Sequence, residues 1–197
     1  MKFAAWYLNN VNFEPWVYVE DIFSDEECEE IKEYCKTLSI EKATTGSFIE
    51  DSKVDTNIRS NEVGWIDEMD DISSSLYKKL TDCINYLNQE YWNYNLEYIS
   101  VLQYTKYSEK NDFYDFHVDI MDNGPHQRKL SFSLQLDDED SYEGCDLLIK
   151  IDSDEIKTSR KKGSLNVFPS FLLHKVTPLQ SGERNAIVGW VCGPSFK

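Results

Sequence analysis

The 197-residue chain predicts a mainly β architecture with flanking helices, an α+β jelly-roll barrel with N-terminal helices packed on one face. Three observations carry this expectation. About eight short segments combine apolar and β-branched residues with bounding turn residues, enough for two four-stranded sheets. Two longer segments in the N-terminal half repeat apolar residues at helical spacing. No internal repeat or linker divides the chain, so residues 1–197 read as a single domain, with 1–95 a helical support and 96–197 the β-barrel core.

The elements follow in order. Trp16–Phe23 reads as a strand leading into a helix. Ser24 is its N-cap, and Glu27 three residues on completes a capping box. Cys28, Ile31, Cys35 and Leu38 then fall on one helix face. The acidic residues at 25–27, 29 and 30 suit the positive end of the helix dipole and form a solvated face. Residues 39–66 are polar and loop-like. A second helix is expected from Asp70 to Tyr91, with Ile72, Leu76, Leu80, Cys83, Ile84 and Leu87 as its apolar stripe.

Strands follow at Leu96–Tyr104, Tyr114–Ile120, Lys129–Leu136, Cys145–Ile151, Glu155–Arg160, Gly163–Ser170, Phe171–Pro178 and Arg184–Val191. The acidic run Asp137–Asp140 marks a solvated hairpin loop. Ser181-Gly182 supplies a turn, so His174 and Arg184 are expected on adjacent strands joined by a short hairpin.

Composition narrows the function classes. Aromatic residues make up 14% of the chain, which argues against disorder. Thirty-six acidic residues against 20 basic ones give a net charge of −16. Nucleic-acid readers need a basic groove, so no nucleic-acid partner is expected. A neutral or basic partner such as a peptide, or a small molecule, fits better. The five cysteines are odd in number and lack a Cys-x-x-Cys pair, as in reduced thiols of a cytoplasmic protein. The apolar run at Met1–Leu8 is too short for a signal peptide, and no segment reaches membrane-spanning length. The expected location is the cytoplasm, with no membrane partner.

The chemistry concentrates in His117-Val-Asp119, His174 and Arg184. Residues i and i+2 of a strand share a face, so His117 and Asp119 can present an imidazole nitrogen and a carboxylate oxygen to one metal ion. A distant His174 completes a two-His, one-carboxylate set with open coordination positions, the arrangement of non-haem Fe(II) oxygenases. A closed structural zinc site would use Cys or a fourth ligand instead. The guanidinium of Arg184 suits a carboxylate, such as the distal one of 2-oxoglutarate. Asp115 shares the expected strand face and is the main rival ligand. His126 falls on a turn and is expected to be exposed.

From about Leu96 onward the chain resembles the 2-oxoglutarate/Fe(II)-dependent dioxygenases of the prolyl 4-hydroxylase-like group, including small bacterial and viral members. The resemblance rests on Leu102–Tyr107, Tyr114–Asp119, Arg128–Leu134, Tyr142–Leu147, Gly163–Pro169, Leu173–Pro178, Gly182–Arg184 and Gly189–Phe196, about half of the chain. It implies a double-stranded β-helix, with His117, Asp119 and His174 on Fe(II) and Arg184 on 2-oxoglutarate. By the same resemblance Tyr107 hydrogen-bonds the 5-carboxylate and Tyr114 lies near the substrate. Asn57–Ser60 also resembles a segment of the group, which makes Arg59 a candidate for the substrate cleft.

Three departures stand out. Gly144-Cys-Asp-Leu147 replaces the usual Gly-Gly-Asp-Leu, Ala186 replaces a Ser, and the stretch from Tyr107 to Tyr114 is one residue longer. The implied reaction is hydroxylation of an unactivated C–H bond, on a prolyl residue in a peptide or protein, with release of succinate and CO2. Fe(II) and the co-substrate 2-oxoglutarate are the implied cofactors, with ascorbate as a candidate reductant. The alternatives are a non-catalytic metal- and 2-oxoglutarate-binding sensor, or an oxygenase acting on a free amino acid, another small molecule or a nucleic acid.

Overall fold

A computed structural model describes residues 14–45, 54–67, 70–120 and 126–196. The N-terminal run at Met1–Leu8 and most of the turn before His126 lie outside these residues. In chain order, β1 (Val17–Val19) leads into α1 (Asp25–Cys35). Next come β2 (Glu41–Lys42), β3 (Arg59–Ser60), β4 (Glu62–Ile66) and α2 (Asp71–Leu87). After a π-helical turn at Asn88–Trp92 come β5 (Tyr98–Ile99), β6 (Leu102–Tyr107), β7 (Phe113–His117) and β8 (His126–Gln135). The chain continues through β9 (Glu143–Gly144), β10 (Leu147–Ile151), β11 (Asp154–Lys157) and β12 (Leu165–Pro169). It closes with β13 (His174–Val176), β14 (Leu179–Ser181) and β15 (Arg184–Pro194).

The helix starts follow their caps. Ser24 accepts from the Glu27 backbone while the Glu27 carboxylate accepts from the Ser24 N–H, so both orphan donors are satisfied. Cys28, Ile31 and Cys35 are buried, whereas Leu38 lies beyond the helix end and is half-buried. Asp70 and Ser73 form the equivalent box on α2. Its stripe is narrower than expected, because Ile72 is 39% exposed. α2 also stops at Leu87 rather than Tyr91. The following π-turn ends at Asn93 in the left-handed region, and the Asn88 side chain brackets the Tyr94 backbone.

The strands build one eight-stranded sheet in the order β1-β12-β8-β15-β6-β4-β2, with β5 also on β15. A second, five-stranded sheet runs β11-β10-β13-β7-β3, and β14 pairs with β9. All pairings are antiparallel. Two corrections arise here. The sheets remain separate hydrogen-bonded layers and do not close into a barrel. The polar stretch 39–66 is no simple loop, since β4 pairs along β6 from Glu62 to Ile66.

β8 shows how sequence sorts the layers. Leu130, Phe132 and Leu134 alternate with Ser131, Ser133 and Gln135, so one face is apolar and the other polar. The apolar set shares a buried core with Cys28 and Ile31 of α1 and Leu76, Leu80 and Ile84 of α2. The polar set faces the space between the sheets. There a second, smaller core contains Tyr107, Ile149, Phe168 and Val176.

Gly163 anchors α1 to this framework. Its carbonyl accepts from the Ile22 and Phe23 N–H groups, and an added Cβ would lie 2.1 Å from the Phe23 oxygen. All five cysteines are free, four of them buried. The acidic run divides: Asp138, Glu139 and Asp140 are exposed, but Asp137 is buried. It accepts from the Asn185 backbone and side chain and meets Lys32 at 3.0 Å. That network ties α1 to the residue after Arg184.

Candidate active site

β7 and β13 pair so that His117 and His174 stand opposite one another, with ring centroids 4.1 Å apart. The strand predicted through Ile120 ends at His117. Asp119 therefore does not share a strand face with His117. Instead, its N–H and that of Ile120 both donate to the Ser170 carbonyl at 2.9 Å. This turn carries the carboxylate back to the two rings. Asp119 Oδ2 lies 3.3 Å from His174 Nε2, and Oδ1 lies 3.8 Å from His117 Nε2. One donor atom from each residue lies within 4.8 Å of the other two.

Hydrogen bonds orient all three groups. His117 Nδ1 meets the Asp115 carbonyl at 2.8 Å, and His174 Nδ1 meets the Leu172 carbonyl at 2.9 Å. A carbonyl can only accept, so each Nδ1 carries the proton and each Nε2 is left to face the shared space. Ser131 donates to Asp119 Oδ2 at 2.7 Å and pairs with the Ser170 hydroxyl at 2.9 Å. Burial and the neighbouring His174 push the His117 pKa down to about 4, which leaves a neutral imidazole at physiological pH. Burial opposes the charge of Asp119, but His174, His117 and Ser131 outweigh it and hold the carboxyl well below its usual range. Burial likewise opposes a proton on His174, and Asp119 outweighs it, so that pKa is raised. Two neutral-capable imidazoles and one fixed carboxylate are a donor set suited to a divalent transition metal.

The rival ligands separate from this cluster. Asp115 is exposed and accepts from the Phe116 N–H. His126 opens β8 and pairs with Glu97 at 2.7 Å.

Arg184 lies on the opposite wall. It does not share a hairpin with His174: β13 belongs to the five-stranded sheet and β15 to the eight-stranded one, with β14 between them in sequence. Arg184 is 3% exposed and stands opposite Tyr107 on β6, its guanidinium 5.6 Å from the phenol ring centre. Its Nε and Nη2 donate to Gln135 Oε1 at 3.2 and 3.0 Å, and Nη2 reaches Ser133 Oγ at 3.4 Å. Among the described residues no carboxylate pairs with it. Burial works against its charge, but Cys145, Tyr142 and Tyr107 outweigh this and the guanidinium stays charged. Burial raises the Tyr107 pKa, so its hydroxyl remains a donor.

Both walls open on one cavity of about 340 Å³, lined by His117, Asp119, His174, Arg184, Tyr107 and Tyr114 among others. Tyr114 stacks on His117 with centroids 3.5 Å apart. Arg59, opposite Tyr114 on β3, lies 4.5 Å over the Tyr114 ring. It is held by Asn61 at 2.6 Å and Gln103 at 3.0 Å. Arg59 and Tyr114 therefore line the same cavity. Ser131, Gln135, Arg128 and Trp190 are cavity or supporting residues that the sequence reading missed. The polar positions of Ser131-Phe-Ser-Leu-Gln135, inside an otherwise apolar strand, were the available signal for the first two.

Two histidines and one carboxylate between two antiparallel sheets are the ligand set associated with non-haem Fe(II) oxygenases. The comparison with known proteins sharpens this: residues 102–192 match the 2OG-Fe(II) oxygenase superfamily. The family implies Fe(II) and 2-oxoglutarate as cofactor and co-substrate.

A PKHD-type hydroxylase of Prochlorococcus marinus (strain AS9601) is 35% identical over 156 residues, 76% of this chain and 64% of that protein. A PKHD-type hydroxylase of Synechococcus sp. (strain CC9605) is 41% identical over 85 residues, 43% of this chain and 38% of that protein. The chain thus spans less than two thirds of these relatives' lengths. The fold is shared with a Pseudomonas putida prolyl-4-hydroxylase, at a TM-score of 0.70 and 20% identity over 90% of this chain and 91% of that one. It is also shared with a Trichoplax adhaerens prolyl hydroxylase solved with a hypoxia-inducible factor peptide, at a TM-score of 0.68 and 18% identity over 92% of this chain and 84% of that one.

Proposed function

We propose that residues 1–197 act as one oxygenase domain that hydroxylates an unactivated C–H bond, with a prolyl residue of a peptide or protein as the substrate. The observation that carries this reading is the pairing of two features in one cavity: the His117–Asp119–His174 cluster and a buried Arg184 with no carboxylate partner among the described residues. A dicarboxylate co-substrate that reaches from the first to the second would satisfy both. The names of the relatives support the hydroxylase chemistry, and the names of the structural neighbours support the prolyl substrate.

In this reading His117 Nε2, Asp119 and His174 Nε2 would hold Fe(II). With 2-oxoglutarate and O2 the bound metal would supply the oxidation, one oxygen atom going to the C–H bond as hydroxyl and the other to succinate, with loss of CO2. The protein's own contribution is orientation. Ser131 fixes Asp119, and the two backbone carbonyls fix the rings. Arg184 takes the far carboxylate of 2-oxoglutarate, with the Tyr107 hydroxyl as a second donor. Tyr114 and Arg59 border the substrate. α1 and α2 pack on the apolar face of the eight-stranded sheet, while β1 to β4 extend the two sheets themselves. The five free thiols fit a cytoplasmic location.

The test is succinate release from purified protein supplied with Fe(II), ascorbate and 2-oxoglutarate, with and without prolyl peptides. Peptide-stimulated succinate with a 16-dalton gain on the peptide (one oxygen atom) is the expected result. Bound Fe(II) and 2-oxoglutarate with no succinate at all would overturn it in favour of a sensor.

A further inference from the structure

The proposed function gives an anionic partner to one of the cavity's three arginines, Arg184. Arg128 is the more open of the other two. It reaches the cavity through an irregularity in β8. Along β15, Trp190 pairs with Ser131 and Val191 with Leu130, but Cys192 pairs with Arg128. Lys129 is skipped, which makes it the extra residue of a β-bulge. Strict alternation from Ser131 would place Lys129 on the cavity face; the bulge places Arg128 there instead, a known use of bulges to re-aim a side chain.

Once there, Arg128 stacks its guanidinium 3.8 Å from the Trp190 ring centre, and both residues line the cavity. It is half-buried, and among the described residues it has no ion pair or hydrogen-bond partner. Arg59 lies 4.5 Å over the Tyr114 ring, and Arg128, Arg59 and Tyr114 line the same cavity. Arg59 also lacks a carboxylate partner, with Asn61 and Gln103 as its neutral supports.

The charge balance is informative. The three negative charges of Asp119 and the dianion 2-oxoglutarate would balance a divalent metal and Arg184, although Asp119 also acts on Arg128. Arg59 and Arg128 are left over, and the other acidic residue of the lining is the exposed Glu41. Partly desolvated cations without anions are costly unless a ligand compensates them. In a chain of net charge −16, with carboxylates abundant elsewhere, an arginine pair left free beside the reaction centre selects for an incoming anion.

We propose that Arg128, stacked on Trp190 and seconded by Arg59, is a carboxylate-recognition subsite for the substrate, so that the molecule hydroxylated carries a carboxylate close to the reacting carbon. The flat guanidinium fork binds both oxygens of such a group. The carboxylate belongs either to a free amino acid or to an acidic or C-terminal residue of a peptide. This inference rests on the oxygenase reading above.

Matched acid and amide probes test it: L-proline against L-prolinamide, and a prolyl peptide ending in a free carboxylate or in Asp against its C-terminal amide or Asn counterpart. Binding is measured by calorimetry under anoxia on Mn(II)- and 2-oxoglutarate-loaded protein, and turnover by probe-stimulated succinate with Fe(II). The acid member of at least one pair should bind on the order of tenfold more tightly. Arg128→Met should erase that preference, and Arg128→Lys should keep part of it. A response from the free amino acid assigns a small-molecule substrate, and one from the peptide an acidic peptide. Equal binding of acid and amide in every pair, or a preference that survives Arg128→Met, overturns the subsite. Absence of metal-dependent 2-oxoglutarate binding would instead overturn the oxygenase reading.

Discussion

The two ends of the cavity are built in opposite ways. The end proposed for the metal is made of short and irregular pieces: β13 is three residues long, its pairing with β7 shifts between His174 and Val176, and Asp119 sits off the strand on a turn. The end proposed for the carboxylate is regular: Arg184 opens an 11-residue strand paired on both sides, and it is almost wholly buried. A metal site that must accept co-substrate, oxygen and substrate needs open positions, so its ligands come from element ends where side chains can converge. A site that recognises one fixed carboxylate needs a rigid, dry cation. The difference also predicts how each end fails.

The largest effect is expected at the metal end. Asp119→Ala removes a ligand outright, and metal affinity should fall by more than the roughly 10–100-fold typical of losing a supporting hydrogen bond, with substrate-linked turnover abolished. Full activity in this variant would refute the triad.

At the carboxylate end, Arg184→Ala should leave the metal bound and raise the apparent KM for 2-oxoglutarate on the order of 100-fold, the scale of losing a buried charge partner. An unchanged KM would move the anchor elsewhere. Gln135→Glu is the sharper variant. It nearly preserves shape but sets a carboxylate where Gln135 Oε1 now accepts from Nε and Nη2 of Arg184. That internal ion pair should weaken 2-oxoglutarate binding by about tenfold or more, while Gln135→Met should cost less. If Glu and Met behaved alike, Gln135 would matter for packing rather than for keeping the Arg184 charge available.

The smallest effect is expected at Ser131. Loss of its hydroxyl in Ser131→Ala frees Asp119 Oδ2, and metal affinity should drop about tenfold, read by metal titration. An unchanged affinity would mean that the Ser170 carbonyl alone fixes the turn.

How much of this was legible in sequence depended on whether the information was local. The capping boxes at Ser24 and Asp70 are short-range hydrogen-bond patterns, and α1 and α2 begin beside them. His117, Asp119 and His174 stood out because histidines are scarce here and their chemistry constrains spacing. The reason given for Asp119 was nevertheless incomplete, since a backbone turn rather than strand alternation delivers its carboxylate. Sheet membership was not local at all. Nothing near Ser181-Gly182 reveals that the strands on either side of it enter different sheets. β4 escaped notice because Glu62-Val-Gly-Trp-Ile66 has no clean alternation; its buried positions are Val63, Gly64 and Ile66. Arg128 escaped for a related reason, since one bulged residue upstream of Ser131 inverts the frame in which a strand is read.

The buried cysteines have a bearing on the protein's working lifetime. An enzyme that handles Fe(II) and oxygen generates reactive oxygen species whenever turnover is uncoupled from substrate, and thiolates are the first protein groups such species attack. Burial raises the thiols of Cys28, Cys83 and Cys145 to about 11 and that of Cys35 to about 12. They remain protonated and poorly nucleophilic at neutral pH. Cys145, beside the proposed co-substrate anchor Arg184, thus keeps its sulfur in the protonated, poorly oxidisable form.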